Sequence, residues 1–412
     1  MNGEILAFIV YFVAIVGVGI YFFFKEKGDA TQANFFLGGR QMGPWVAAMS
    51  AQASDMSAWL LMGLPGSILA FGFGQMWIGI GLALGTAANW IFVAKRLRKF
   101  SSAAGDAITV PQYLGNRFLS KSNALQVICA IIFFVCFTIY VASAYVAGAS
   151  VFTAIFPSLS SHAAMIIFAL AMLLITFFGG FKAVCWTDFF QGILMFAALM
   201  TVPIVIAITK DMDPAALSVV YSYKDAVSGE MVECSFGTGL FDASWQDIIS
   251  GLAWGLGYFG MPHILVRFMS IEKPSMVKKS ATVAIIWVIC ALGCACLIAY
   301  FGRMFLAEEL LTAGAQKMVF IDFARKLFPS FIAGILMAAI IAASMSTADS
   351  QLLVASSSFT SDIYKPIIRK DADEKEILWV GRIIVVIVAV IAFFIASSKG
   401  SGAQAIMNLV EN

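Results

Sequence analysis

The stretch SAQASDMSAWLLMGLPG, residues 50–66, places polar groups and helix breakers inside a long apolar run that begins after Gly43 and continues past Phe73. A charged side chain at the centre of a bilayer costs on the order of 2.5–3.5 kcal/mol even on insertion scales. Backbone freed by Gly and Pro is tolerated at membrane depth only where it is buried in protein or lines a cavity. The stretch therefore predicts a broken membrane helix, in which Asp55 supplies a negative field for a cation or proton. The alternative is a structural hydrogen-bond centre facing a partner helix.

The composition is that of a membrane protein. Of 412 residues, 61% are hydrophobic and only 12% are charged, about half the charged fraction of a soluble domain. The apolar runs have the roughly twenty residues of a membrane helix, not the ten-residue alternation of an outer-membrane barrel. These features predict an all-α polytopic protein in a lipid bilayer.

Several function classes are disfavoured by the same sequence. The net charge is +2 with no long basic run, which argues against a nucleic-acid partner. The sequence lacks a Walker-type motif, so we expect no ATP-driven activity. It also has no nucleophile–base pair and no metal-ligand cluster, so an enzyme is not expected. The N-terminal segment lacks a cleavage site and is interpreted as a first membrane helix.

The hydropathy pattern predicts ten spans, and charge predicts their orientation. Most of the 26 Lys and Arg residues fall on the inner side if the N-terminus is outside, which is the arrangement that the positive-inside rule favours. The predicted spans are 4–24, 43–72, 74–94, 124–156, 163–180, 188–209, 246–270, 281–306, 331–362 and 377–397.

Two predicted spans share Gly/Pro interruptions, at LMGLPG (61–66) and at WGLGYFGMPH (254–263). The two spans are five helices apart and run in opposite directions in the predicted orientation. A pair of interrupted helices at corresponding places of two inverted halves points to the binding site of a secondary transporter. The alternative for each one alone is an ordinary kinked helix.

A cation site is predicted where span 331–362 meets the first interruption. Ser346 and Thr347 share a helical face with Ala343, and carbonyls of a loosened helix supply further oxygens. The five predicted Na⁺ donors are the carbonyls of Ala53, Met56 and Ala343 and the hydroxyls of Ser346 and Thr347. The alternative is that both hydroxyls bond back to carbonyls of their own helix.

Two further carboxylates receive separate interpretations. Asp188 opens span 188–209, where it either caps the helix N-terminus or serves transport. Asp349 lies toward the cytoplasmic half of span 331–362 and is expected to face a wet vestibule.

Four stretches resemble the sodium/solute symporter family along the whole chain. They are FLGGRQMGPWVAAMSAQASDMSAWLLMGLPG (36–66), GGFKAVCWTDFFQ (179–191), WGLGYFGMPHILVRFM (254–269) and AAIIAASMSTADSQLLV (338–354). The resemblance implies a LeuT-type core of two inverted five-helix repeats after one extra N-terminal helix. The implied boundaries are 1–30 for that helix, 40–210 for the first repeat and 245–412 for the second, incomplete repeat, with the C-terminal helices missing.

The resemblance also implies roles for individual residues. It supports the same five-residue sodium site and adds Asp55 and Ser57 as supporting residues. The implied substrate-binding or gating residues are Tyr140, Trp254, Tyr258 and Pro262. Arg40 and Asp188 are the implied coupling or gating residues.

The implied function is Na⁺-coupled symport of L-proline into the cell by alternating access, in the inner membrane of a bacterium. Met261 and Ala58 depart from the Gln and Gly that proline carriers of this family usually have, so another small solute is an alternative substrate. A membrane sensor domain of a histidine kinase, with an absent C-terminus, is a further alternative.

Overall fold

The computed structural model describes residues 2–26, 31–224 and 230–398. Parts of the predicted N-terminal segment 1–30 and second repeat 245–412 lie outside these residues. The α-helices are α1 (Asn2–Glu26), α2 (Gln32–Leu37), α3 (Pro44–Ala53), α4 (Gly63–Phe71), α5 (Met76–Ala88), α6 (Lys95–Ala103), α7 (Val110–Arg117), α8 (Ala124–Ile155), α9 (Ser161–Thr209), α10 (Trp245–Ala253), α11 (Pro262–Ser270), α12 (Val277–Phe305), α13 (Ala307–Thr312), α14 (Val319–Leu327), α15 (Ser330–Phe359) and α16 (Glu374–Ser397).

Shorter elements join these helices. The 3₁₀ turns are Gly38–Arg40, Ser57–Leu60, Phe73–Gln75, Pro214–Ser218, Trp254–Gly260, Pro274–Met276 and Gln316–Met318, and the π-helical turns are Asn89–Ala94 and Thr360–Ile368. Strands β1 (Tyr221–Lys224) and β2 (Met231–Cys234) pair antiparallel, with Tyr221 opposite Cys234. This hairpin lies within the segment 211–244, which the sequence predicts only as a long outside loop.

The helices run between two ends of the molecule. The basic end contains the last turn of α1 and the start of α12, and there Arg98 donates to the Glu272 carbonyl at 3.0 Å. The hairpin end contains β1 and β2, together with the ion pair between Arg325 and Glu4 at 3.2 Å. The broken segments α3–α4 and α10–α11 run in opposite directions between these ends, as predicted.

The described helices account for the ten predicted spans. Seven are long and apolar enough to cross a membrane, and α10 with α11 forms an eighth that is bent by 48°. The broken segment α3–α4 corresponds to predicted span 43–72. Helix α9, 49 residues long, contains two predicted spans, 163–180 and 188–209.

The turn inside α9 differs from the sequence prediction, which had separate spans. Gly180 has φ 56° and ψ −159°, and this single residue reverses the chain with no intervening loop. A Cβ at Gly180 would lie 2.7 Å from the Phe35 ring and 3.0 Å from the Phe35 carbonyl oxygen. Glycine is therefore needed both for the backbone conformation and for the approach of α2.

Helix α15 lies at the centre of the bundle. In its most apolar stretch 83% of the residues are buried, against 33–50% in the other spanning helices. It packs against α1, α8 and α9. Its many Ala and Ser residues permit this, because small side chains let helix backbones approach closely in a membrane. The helix predicted to carry the cation-binding hydroxyls is thus shielded on every side.

We predict that Gly180→Ala destabilises the fold by about 1–3 kcal/mol, because alanine is strained at this φ and its Cβ meets Phe35. Thermal unfolding in detergent measures the effect. The matched control is Gly293→Ala in α12, where a Cβ meets nothing within 4 Å and replacing a helical glycine gains up to about 1 kcal/mol. Equal effects of the two substitutions would contradict the role of Gly180.

Candidate functional site

The predicted cation donors meet between α15 and the end of α3. The Ser346 hydroxyl lies 2.7 Å from the Ala53 carbonyl oxygen and 3.1 Å from that of Ala343. The Thr347 hydroxyl lies 3.0 Å from the same Ala343 oxygen. Ser346 and Thr347 are completely buried. Both hydroxyls therefore bond back within α15, as the alternative interpretation expected, and Ser346 also reaches across to the broken helix.

The break explains why the Ala53 carbonyl is available. In a continuous α-helix this oxygen would accept from the amide four residues on, which belongs to Ser57. Helix α3 ends at Ala53, and Ser57 has φ 52°, a left-handed conformation that is uncommon for a residue with a side chain. Met56 lies buried in the same non-helical stretch, but the hydrogen bonds of the two hydroxyls do not include it.

Asp55 lies in the first break, between α3 and α4. Its carboxyl group interacts with the Tyr258 hydroxyl, and its charge also acts on Tyr140. The structure thus groups Asp55 with two predicted substrate residues and not with the hydroxyls of Ser346 and Thr347. Among the described side chains, no hydrogen bond joins Asp55 to Ser346 or Thr347, and the negative field that Asp55 is expected to supply for a cation stays a prediction.

The second break carries the other predicted substrate residues. The Trp254 ring stacks on Trp59 with centroids 5.9 Å apart, so the two broken segments touch through their aromatic rings. The Tyr258 carbonyl accepts from the Asn89 amide at 2.8 Å. Pro262 is the first residue of α11, after Met261 in an extended conformation. Helix α11 therefore begins inside the bundle, and among the described residues no side chain caps its N-terminus, the helix end that attracts anions.

Asp188 does not cap a helix, and the prediction that it opens a span is wrong. The second limb of α9 begins immediately after Gly180, so Asp188 lies about two turns inside it. Its carboxylate is fully buried and accepts from Arg267 at 2.8 Å and from the Ser50 hydroxyl at 2.7 Å. Asp188 is instead half of an intramembrane ion pair.

Arg267 is a residue that the sequence analysis missed. Besides Asp188, its guanidinium donates to the Ser50 hydroxyl at 2.7 Å, to the Ser350 hydroxyl and to the His263 carbonyl. The network joins α3, α9, α11 and α15. Since Ser350 in turn donates to the Ser346 carbonyl at 2.7 Å, the network is one helical turn from the cation donors. A charged arginine inside an apolar span requires a partner. The position of Arg267 within predicted span 246–270 could therefore have marked it as a candidate functional residue.

Asp349 also differs from its prediction. Its side chain is completely buried and accepts from the Thr176 hydroxyl at 2.9 Å. It does not face a wet vestibule, because the first limb of α9 covers this side of α15.

Arg40 lies at the basic end of the molecule and hydrogen-bonds to several neighbouring segments there. It donates to Asp106 at 2.8 Å, to Ser101 at 3.1 Å and to the carbonyls of Ala107 and Met269 at 2.8 Å each. The Met269 contact ties the start of the first broken segment to the last turn of α11. Arg40 lies in the 3₁₀ turn shortly before α3, and its role in gating stays a prediction.

Together, two interrupted helices running in opposite directions and a shielded, oxygen-lined helix between them define a polytopic secondary transporter. A family model described as the sodium:solute symporter family matches residues 35–412. The chain belongs to the sodium:solute symporter family, which confirms the resemblance and the prediction of a transporter rather than an enzyme.

Relatives of known name agree. The chain is 41% identical over 407 residues to sodium/proline symporter 2 of Staphylococcus saprophyticus, covering 98% of this chain and 76% of the relative. It is 41% identical over 398 residues to the sodium/proline symporter of Escherichia coli K12, covering 96% and 77%, and 40% identical over 406 residues to that of Staphylococcus aureus, covering 98% and 76%.

Solved structures confirm the fold. A substrate-bound, outward-open Na⁺-coupled sialic acid symporter superposes with a TM-score of 0.74 at 20% identity, covering 99% of this chain and 82% of that one. A nucleobase-cation-symport-1 family transporter in a closed conformation gives 0.54 at 12% identity, covering 91% and 76%.

We predict that Arg267→Met and Asp188→Asn each destabilise the protein, Arg267→Met by about 3–5 kcal/mol, because removing one partner leaves an uncompensated buried charge. The double variant Arg267→Met/Asp188→Asn should lose at least 1 kcal/mol less than the sum, since neither residue then carries a charge. Unfolding of all four proteins under one condition measures the coupling. Strict additivity would show that the pair is not energetically linked.

Proposed function

We propose that this protein is a secondary active transporter that couples inward Na⁺ movement to uptake of L-proline. The observation that carries the proposal is the contact of the Ser346 hydroxyl with the Ala53 carbonyl across the broken helix. Three relatives named sodium/proline symporters, each about 40% identical over nearly the whole chain, support the choice of ions and solute.

The donor set suits Na⁺ as a transported substrate. Ala53 and Ala343 offer carbonyl oxygens, and Ser346 and Thr347 offer neutral hydroxyls, all buried. Unwound backbone carbonyls in discontinuous helices are a recurrent way to coordinate Na⁺ in carriers. Met56 is the proposed fifth donor. Asp55 adds negative potential without contacting the ion, and Ser57 holds the break that frees the carbonyls.

The proposed proline pocket lies between the two breaks. Trp254, Tyr140 and Tyr258 supply apolar ring surface, and the N-terminus of α11 at Pro262 supplies the positive end of a helix dipole for the proline carboxylate. Because Asp55 interacts with Tyr258 and follows Ala53 by two residues, the same short stretch of backbone serves both substrates.

Coupling follows from that shared stretch. Binding of Na⁺ to Ala53 and Ser346 fixes the loosened backbone, which in turn positions Asp55 and Tyr258 for proline. Such mutual stabilisation is reciprocal by thermodynamic necessity. Arg40 and the Asp188–Arg267 pair, which join segments on the basic side of the breaks, are the proposed contacts that rearrange when the inner side opens.

We further propose that the basic end faces the cytoplasm of a bacterial cell and that the N-terminus and the hairpin lie outside. Impermeant maleimide labelling of Ser222→Cys in β1, with Lys121→Cys as the inner control, tests this orientation. The inverted repeats at 40–210 and 245–412, after an extra N-terminal helix, remain part of the proposal.

Met261 favours a second candidate, a Na⁺ symporter of another small solute. It is the extended residue between the 3₁₀ turn and α11, beside Tyr258 and Pro262. A methionine there offers no strong hydrogen-bond donor, whereas a glutamine offers two amide hydrogens.

The test of the proposed function is uptake of radiolabelled L-proline into proteoliposomes with and without an inward Na⁺ gradient. We expect accumulation that requires Na⁺ and falls at least tenfold in Asp55→Asn. The control is Asp211→Asn, an exposed carboxylate in the connection after α9, which should be unchanged. Na⁺-driven uptake of another solute but not of proline would keep the cation site and replace the substrate, and no uptake of any solute would favour the sensor alternative.

We predict that Ser346→Ala and Thr347→Ala raise the Na⁺ concentration for half-maximal uptake about tenfold or more, because a contact to a charged group is worth roughly 1.5–3 kcal/mol. Proline affinity at saturating Na⁺ should change little. Ser357→Ala is the matched control, since within the part of the chain that the structure describes the Ser357 hydroxyl bonds only inside α15, to the Val354 carbonyl at 3.0 Å. Equal losses of Na⁺ and proline affinity would mean that the two hydroxyls are structural.

A further inference from the structure

A groove of about 520 Å³ opens on the outer surface between α1 and the second limb of α9. One face of α1 forms its floor, with Gly17 in the middle, and the rings of Trp186 and Phe190 form the opposite wall. Lys25 lies at the end of the groove, near the last residue of α1. The groove is independent of the transport site described above.

The turn at Gly180 creates this groove. Before the turn, α9 packs closely on α1, where a Cβ at Gly19 would lie 3.5 Å from Ile175. After the turn, the second limb contacts α1 through the stacked rings of Phe22 and Trp186, with centroids 5.6 Å apart, and through a hydrogen bond from the Gln191 amide to the Tyr11 hydroxyl at 2.9 Å. A Cβ at Gly17 would meet no atom of the described residues within 4 Å, so the space between this face of α1 and the second limb is open.

The dimensions fit one lipid of a single leaflet. The lining runs from Val13 to Lys25, roughly 18 Å along a helix. This length compares with about 15 Å for the hydrocarbon of one leaflet, half of a core about 30 Å thick. Lys25 therefore lies near headgroup depth when Gly17 lies among acyl chains.

The positive charge of Lys25, at the end of the groove, indicates which kind of lipid the groove would bind. The Lys25 ammonium lies 5.6 and 5.7 Å from the ring centroids of Tyr21 and Phe22, and within the described part of the chain it forms no ion pair. A lysine anchored over aromatic rings at the end of an apolar groove is complementary to a phosphate headgroup that carries a net negative charge.

We propose that this groove binds one anionic phospholipid, with an acyl chain over Gly17 and against Trp186 and Phe190 and its headgroup phosphate against Lys25. The site lies in the leaflet that borders the basic end. The proposal does not depend on which solute is transported, and lipid binding, not uptake, is its readout.

Contact quenching of Trp186 tests the site. The full chain is reconstituted into vesicles of phosphatidylcholine that contain increasing fractions of phosphatidylglycerol with brominated acyl chains, and Trp186→Phe identifies the signal of Trp186 among the nine tryptophans. We expect the Trp186 signal to saturate at a low fraction of brominated phosphatidylglycerol. In control vesicles the brominated chains are placed on phosphatidylcholine instead of phosphatidylglycerol. Quenching of Trp186 in these vesicles should rise only in proportion to the fraction of brominated phosphatidylcholine.

Two variants and two controls locate the lipid. Lys25→Glu should lower the preference for phosphatidylglycerol at least fivefold, the effect of about one cation near an anionic surface. Gly17→Phe should abolish saturation by filling the groove. Gly293→Phe and Lys278→Glu, an open helical glycine and an exposed lysine of α12, should change neither.

Three outcomes would overturn the proposal. Equal quenching by both lipids, unaffected by Lys25→Glu, would mean that ordinary annular lipid fills the groove. No quenching of Trp186 by either lipid would mean that another segment of the chain covers it. Saturation that survives Gly17→Phe would mean that the anionic lipid binds elsewhere.

Discussion

A bilayer offers no hydrogen-bond partner to a freed backbone group, and the architecture depends on this constraint. Two helices are interrupted, so their carbonyls and amides must be satisfied by protein or by ligands. Helix α15 satisfies part of this need, because Ser346 reaches the Ala53 carbonyl. The side chain of Asn89 does the same for the Tyr258 carbonyl in the second break. The substrates proposed above would bind to groups of this kind.

Buried charge is distributed unevenly around these breaks. Asp55, Asp188, Asp349 and Asp362 are all buried, yet within the described residues only Asp188 forms an ion pair. The others are held by hydroxyls or amides, as when Thr109 and Gln126 each donate to Asp362 at 2.8 Å. The Arg267 guanidinium already neutralises Asp188, whereas Asp55 interacts with the Tyr258 hydroxyl and forms no ion pair within the described residues.

The sequence predicted the features that depend on local pattern. Span positions follow from hydropathy, the two interruptions from Gly and Pro, and the convergence of Ser346, Thr347 and Ala343 from helical spacing. The Ala53 contact joins residues 293 apart in the sequence, and it was predicted from the pair of interrupted helices and from the family resemblance. The other features follow from residues that lie close together in the sequence, which single-sequence reasoning captures.

Features that depend on distant partners were not predictable in this way. Asp188 pairs with Arg267, 79 residues away, and no local pattern encodes that distance. Asp349 is buried because α9 folds over it, which depends on the positive φ of Gly180. A Gly-Gly pair before a Phe is equally consistent with a loop, so the sequence allowed a linker where the structure has a single-residue turn.

The hydrogen bonds of Arg40 concentrate several attachments of the basic end on a single side chain. One guanidinium donates to Ser101 in α6, to Asp106 and the Ala107 carbonyl in the connection after α6, and to the Met269 carbonyl in α11. Loss of this one side chain would remove all four contacts together. Contact between these segments is therefore more sensitive to one residue than the broad packing of α15 against its neighbours.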